Sequence, residues 1–285
     1  MTGKKQTMKD TRPLAHRRLA DLAEVAADGT SVGKSVTANR LCHLYREAGR
    51  TVTLVRIETG RRRTAETGAA DREIYIATEE FTGSSGRTGG LSGVLAPLWN
   101  ELVDAPNTGS AVVVDWAGGS GGIRLDVMAA TAFDETLKAL GVRGVSLVLT
   151  TCAAESMTQA GAYLSGLATV APALRRALLL SGRAGNFDVP TGSEQAESLA
   201  RLKATAGTIP TIAIPHVPGR ALETCADAGL DVASAMMMEA EVLGRRLGID
   251  IFRARALASE LAVWWRRSGS ALTEALEEPD ADPAA

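Results

Sequence analysis

The chain has 285 residues, 45% of them hydrophobic and 22% charged, with a formal net charge of -2 at pH 7. Such a balance supports a large buried core, excludes a disordered polyelectrolyte, and gives no charge-based reason to invoke nucleic acid. Three cysteines (Cys42, Cys152, Cys225) without CxxC spacing and three scattered histidines argue against a disulfide framework and a zinc site; with no apolar leader and no membrane-length apolar run, a reducing cytoplasm is the expected setting.

Residues 1–17 carry Lys4, Lys5, Lys9, Arg12 and Arg17 against Asp10 alone, a basic arm that is either solvated or set against DNA phosphates. Leu22 to Ala27 reads as a short strand, or as a helix on the spacing of Leu19, Leu22 and Ala26. The segment that follows, Asp28-Gly29-Thr30-Ser31-Val32-Gly33-Lys34-Ser35, favours the strand. Its Gly-Lys-Ser ending opens a helix predicted from Val36 to Ala48, stopped by Gly49. Thr51 to Ile57 is a β-branched run closing on Glu58, which completes a βαβ unit.

Backbone N–H groups of a glycine-rich turn, backed by a helix N-terminus, cradle phosphate oxygens. A lysine there reaches the β/γ-phosphates and a serine hydroxyl ligates Mg²⁺. The loop therefore predicts a nucleoside triphosphate site made by Gly29, Thr30, Ser31, Val32, Gly33, Lys34, Ser35 and Val36. In the pattern G-x-x-x-x-G-K-[ST] the first glycine would stand at Asp28; a turn displaced by one residue lets Gly29 supply the permissive backbone. The alternative is a plain glycine-bearing turn with Lys34 in solvent.

Beyond Glu58, Arg61-Arg62-Arg63 form a cationic loop that is solvated, or contacts DNA or an acidic partner. Ile74 to Ala77 is a short strand, Thr82 to Gly90 a glycine-rich loop around Arg87, and Leu91 to Val103 a helix. The apolar run from Ala111 to Val114 ends in Asp115, ahead of the glycine-rich stretch Gly118 to Gly122. An acid at the C-terminal end of a strand beside the phosphate strand reaches Mg²⁺ directly or through water, so Ser35 and Asp115 are the metal-side residues. Otherwise Asp115 is a turn cap.

Helices at 124–140, 157–169 and 194–205 alternate with strands at 145–150, 177–180 and 209–217, the last confined to an edge by Pro210, Pro215 and Pro218. Alternation of this kind predicts a doubly wound α/β domain, with a mostly parallel sheet and helices on both faces. Asp231 to Leu247 and Phe252 to Arg267 read as closing helices. Leu257, Leu261 and Trp264 form a stripe suited to packing on the sheet, so a membrane partner is not expected. The division is a basic arm (1–17), one α/β domain with C-terminal helices (18–272), and an acidic Pro/Ala-rich tail (273–285) expected to be disordered.

The loop Gly29 to Ser35, then helix, strand and acid, then Val112-Val113-Val114-Asp115 with Gly118, resembles the ParA/MinD group of deviant Walker A P-loop ATPases. Within that group it is most similar in look to the plasmid-borne StbB and TraL type members. The resemblance covers roughly residues 20 to 220, with its specific motifs confined to the loop, Glu58 and Asp115. It implies a P-loop NTPase fold, ATP and Mg²⁺ as ligands, and a weak ATPase acting as a switch in plasmid stability, partition or conjugative transfer. It also implies a homodimer, and plasmid DNA or a DNA-binding protein as partner. On this resemblance Lys34, Glu58 and Asp115 are catalytic, with Glu58 positioning the attacking water and Asp115 sensing Mg²⁺ and the γ-phosphate. The family's signature lysine falls at Gly29, so nucleotide-dependent dimerisation should be weak. Two alternatives stay open: a nucleotide-binding interaction protein with little hydrolysis, and an ATP-dependent small-molecule ligase on the same scaffold.

Overall fold

Seven strands form the centre of the protein: β1 (Leu22–Ala26), β2 (Val52–Glu58), β3 (Arg72–Ala77), β4 (Ala111–Trp116), β5 (Gly144–Thr150), β6 (Arg175–Ser181) and β7 (Thr211–Ile214). The computed structural model describes residues 13–27, 29, 32–58, 68–82, 90–217 and 220–278. The strands lie in the order β3-β2-β4-β1-β5-β6-β7, and every pair is parallel. Parallel neighbours cannot be joined by hairpins, and helices cover both faces of the sheet.

The helices are α1 (Lys34–Glu47), α2 (Glu79–Thr82), α3 (Gly90–Val94), α4 (Ala96–Thr108), α5 (Gly121–Ala130), α6 (Phe133–Leu140), α7 (Ala154–Val170), α8 (Glu194–Ala206), α9 (Ala221–Asp227), α10 (Val232–Met237), α11 (Ala240–Leu247) and α12 (Ile251–Leu276). One face of the sheet packs under α1 and α9 to α12, the other under α4 to α8. Strand alternation divides the residues between them. In β4, Ala111 and Val113 face α1 while Val112, Val114 and Trp116 face the opposite layer. Polar exceptions to this core carry the functional interest: Glu24, Arg56, Asp115 and Arg124 are all buried.

The expected alternation is present, and the boundaries differ where local chemistry intervenes. Leu22 to Ala26 is a strand, because a fully buried segment between β4 and β5 must satisfy its backbone laterally. The helix predicted over 91–103 is two helices. Pro97 falls in the first turn of α4, where its missing N–H costs no intrahelical bond, and a second proline, Pro106, lies inside the same helix near its C-terminal end. The helix predicted over 124–140 breaks at Ala132, whose φ of 42° lies in the left-handed region. Likewise 231–247 divides into α10 and α11, and the strand of 209–217 shrinks to an edge piece between Pro210 and Pro215.

α12 runs past residue 272, the boundary read from sequence, and buries Thr273, Ala275 and Leu276. Glu277 bridges to Leu19 and accepts from the Arg17 guanidinium at 2.9 Å. Arg17, assigned to the arm by its charge, is thus tied to the far end of the chain.

Candidate functional site

β1 stands between β4 and β5, and its connection leads through α1 towards β2, whereas β5 leads through α7 towards β6. Chain direction therefore diverges above the C-terminal ends of β1 and β5. Open parallel sheets form their ligand crevices at such a point.

The glycine loop occupies it. Gly33 is the N-cap of α1 with φ 100°, a conformation that only glycine adopts without strain. Among the described residues no side chain caps this helix and no acidic residue belongs to its first turn, so its first backbone N–H groups have no capping partner. Val32 is buried and anchors the loop from below. Lys34 is also buried, and its Nζ donates to the Gly29 carbonyl at 2.8 Å, folding the ammonium back across the loop. Ser35 is exposed, and Val36 is half-buried against the core.

The strand-end acids complete the arrangement. Asp115 lies beside Val25 of β1 and Arg56 of β2 in the sheet register. Its carboxylate accepts from the Ser35 hydroxyl and from Arg56 Nη1 at 3.3 Å, with Lys34 close enough to act on it electrostatically. Burial pushes the Asp115 carboxyl up from its ordinary value, against the opposing pull of Arg56, Ser35 and Lys34. Glu58 ends β2 near enough to repel Asp115, and its Oε2 is buried with no hydrogen-bond partner among the described residues. Such an oxygen is available to a water or a ligand.

The structure thus brings together Lys34, Ser35, Glu58 and Asp115, with Gly29, Val32, Gly33 and Val36 forming the loop and helix start. Thr30 and Ser31 lie outside the described residues, as do Asp28, Arg61, Arg62, Arg63 and Arg87.

The sequence reading missed Arg56. It sits in the middle of an apolar strand with its side chain 2% exposed. Its Nε meets Glu73 Oε2 at 3.3 Å and its Nη2 donates to Asn39 Oδ1 at 2.8 Å, besides the Asp115 contact. Burial would lower the Arg56 pKa, but Asp115 and Glu73 outweigh that and raise it, so the guanidinium is charged. An arginine inside a run such as Val52-Thr-Leu-Val-Arg-Ile was the available signal, since a buried charge requires a partner.

A second buried pair lies on the other face. Glu24 of β1 accepts from Arg124 of α5, which also donates to Ser146 Oγ at 3.0 Å and stacks near the Trp116 and Tyr163 rings. It ties the helix after the Asp115 strand to the strand before the loop.

Ser35 and Asp115 are adjacent hard oxygen donors, the donor set Mg²⁺ takes when substrate phosphates and waters supply the remainder. Among the described residues no three His, Cys, Asp or Glu side chains converge into an all-protein cage.

These features define a doubly wound parallel α/β protein with a glycine loop and helix N-terminus at the divergence of its connections. No protein-family model matches the chain and no curated protein matches it. Among solved structures it is similar to the MinD cell division protein of Aquifex aeolicus, with TM-score 0.46 and 15% identity over 84% of this chain and 97% of that one. The MinC:MinD cell division protein complex of the same organism gives TM-score 0.44 and 15% identity over 84% and 96%. No helix among the described residues is long and apolar enough to cross a membrane.

Proposed function

We propose that this chain is a nucleotide-dependent switch of the ParA/MinD type, binding ATP with Mg²⁺ at the loop and hydrolysing it slowly, in the cytoplasm. The observation that carries the reading is the meeting of Lys34 and Ser35, at an uncapped helix start, with the Asp115 carboxylate at the end of the adjacent strand. Backbone N–H groups at the start of α1 would receive phosphate oxygens, with Lys34 leaving Gly29 to meet the β/γ-phosphates. Ser35 and Asp115 would hold Mg²⁺, which supplies charge neutralisation on the phosphate oxygens. Glu58, through its unpartnered oxygen, would accept a hydrogen bond from the attacking water and orient it. That oxygen favours a hydrolytic protein over one that only binds.

The glycine-rich stretch after Asp115 is the segment through which occupancy would be relayed. α5 begins within it, at Gly121, and is anchored to β1 through Arg124 and Glu24. A homodimer, and plasmid DNA or a DNA-binding protein as partner in plasmid stability, partition or conjugative transfer, complete the proposal on the strength of the loop and acid motifs. Arg61, Arg62 and Arg63 are the DNA or partner contacts. Titration calorimetry with ATP and Mg²⁺ tests the premise, and the absence of binding would overturn it. Phosphate release with and without plasmid DNA then distinguishes a DNA-responsive ATPase from a nucleotide-binding protein that turns over little.

A further inference from the structure

Arg56 touches no position expected to meet phosphate, yet it is among the most thoroughly buried side chains in the protein. Three elements close around it: Asn39 from α1, Glu73 from β3 and Asp115 from β4. Asn39 stands one helical turn beyond Ser35, the other residue that contacts Asp115. Glu58, two residues along β2, has the same strand parity as Arg56 and so faces the same layer. The guanidinium pairs with two buried carboxylates, Glu73 and Asp115, and Glu58 stands near enough to repel Asp115. Without Arg56, the Asp115 carboxylate beside the Ser35 hydroxyl would be a buried anion open to a divalent cation with no nucleotide present.

We infer that Arg56 is a built-in counter-cation that positions Asp115 and keeps the metal side of the site from taking up divalent ions until nucleotide arrives. The guanidinium meets one Asp115 oxygen, and its remaining donors fix Glu73 and Asn39, so it cannot swing away without taking the positive charge from two buried carboxylates, which would keep only hydroxyl partners such as Ser35 on Asp115 and Tyr75 on Glu73. An arriving cation gains too little from a carboxylate already shared with a guanidinium. Phosphate oxygens bring the additional negative charge that makes binding favourable. Metal and nucleotide are thereby coupled, because the ion binds well only together with its anionic partner. The inference rests on the proposed nucleotide site for its purpose, but its test uses no nucleotide.

The experiment is Mn²⁺ titration of the full chain, followed by electron paramagnetic resonance of the free ion and by the metal-induced shift in melting temperature. The parent should show no saturable Mn²⁺ site without nucleotide. Arg56→Gln should gain one, with affinity at least roughly tenfold above the parent, and Mn²⁺ should restore part of the stability that the substitution removes. Arg56→Lys keeps the charge and should behave like the parent, a rescue that lost packing alone would not give. If Arg56→Gln does not fold, Arg56→Met combined with Glu73→Gln removes both partners of one pair at unchanged net charge and frees Asp115, beside Ser35, from the guanidinium; this variant should also bind Mn²⁺ more tightly than the parent, by less than Arg56→Gln. A parent that binds Mn²⁺ as tightly as the variants, or folded variants that gain no site, would overturn the inference. Loss of ATP binding with these metal results intact would instead overturn the proposed function.

Discussion

Replacing Lys34 by alanine separates the two jobs its ammonium group can do. In the free protein Nζ donates to the Gly29 carbonyl at 2.8 Å from a buried position, so truncation removes this hydrogen bond, the pull of the ammonium on Asp115 and the packing of the lysine stem. That bond stabilises the fold by about 0.5 to 1.5 kcal/mol net. For a domain of this size the melting temperature should therefore fall by only about 1 to 6 °C. With nucleotide bound, the same ammonium would face anionic phosphate oxygens, a charge-assisted contact of roughly 1.5 to 3 kcal/mol. Since the free state already satisfies the group with a neutral carbonyl, binding exchanges one partner for a stronger one, and the loss should not exceed that range. Affinity for ATP–Mg²⁺ should drop about ten- to a hundred-fold in calorimetry, with the melting curve read in parallel. Unchanged affinity in a folded variant would refute a phosphate role for Lys34. A melting point lowered by more than about 10 °C would show that the residue serves the fold instead.

Glu58→Gln should leave ATP affinity close to the parent and slow phosphate release by about a hundredfold, because a water-orienting carboxylate acts on the chemical step; equal turnover would remove Glu58 from the mechanism. Gly29→Lys should strengthen ATP-dependent dimerisation in analytical ultracentrifugation. Among the described residues a Cβ there would meet Val32 Cγ1 at 3.0 Å and Gln159 Oε1 at 3.7 Å, a crowding that a shift of a few tenths of an ångström in these side chains relieves, and a parent already tightly dimeric with ATP alone would contradict the premise. Arg124→Met should cost about 3 to 5 kcal/mol in denaturant unfolding by stranding the buried Glu24, and adding Glu24→Leu should recover much of the loss; a single variant within 1 kcal/mol or so of the parent would show that the pair is not needed. Asp21 governs an acid transition. Burial raises its pKa, but Arg143, through hydrogen bonds at 2.8 and 2.7 Å and its charge, together with Arg50, outweighs burial and holds the carboxyl below its ordinary value. The stability it contributes is present above the unfolded value near 4 and lost as pH falls through the folded pKa, so Asp21→Asn should flatten the stability curve below about pH 4.

Much of this was legible in the residues. Alternating apolar runs and helix-period segments determined a doubly wound parallel α/β fold. The Gly-Lys-Ser turn marked the start of α1, and an apolar run marked β4 with Asp115 near its end. These features are local: the glycine conformation at Gly33, the strand period and the helix start are all set within a few residues. The helix breaks at Leu95, Ala132 and Met238 were harder to see, because the apolar pattern continues across them and only Pro97 announces a boundary.

Only the tertiary structure decided which charges meet. Glu24 and Arg124 are separated by a hundred residues and Arg56 and Asp115 by 59, so no periodicity could pair them. Strand order made the pairs, by setting β2 against β4 and β4 against β1. A charged residue inside an apolar strand declares that it needs a partner, but the identity of that partner depends on which strand lies next to it. For the same reason the sequence supplied Lys34, Ser35, Glu58 and Asp115 as separate candidates, and the parallel register gathered them at the C-terminal ends of β1, β2 and β4, with Arg56 against Asp115.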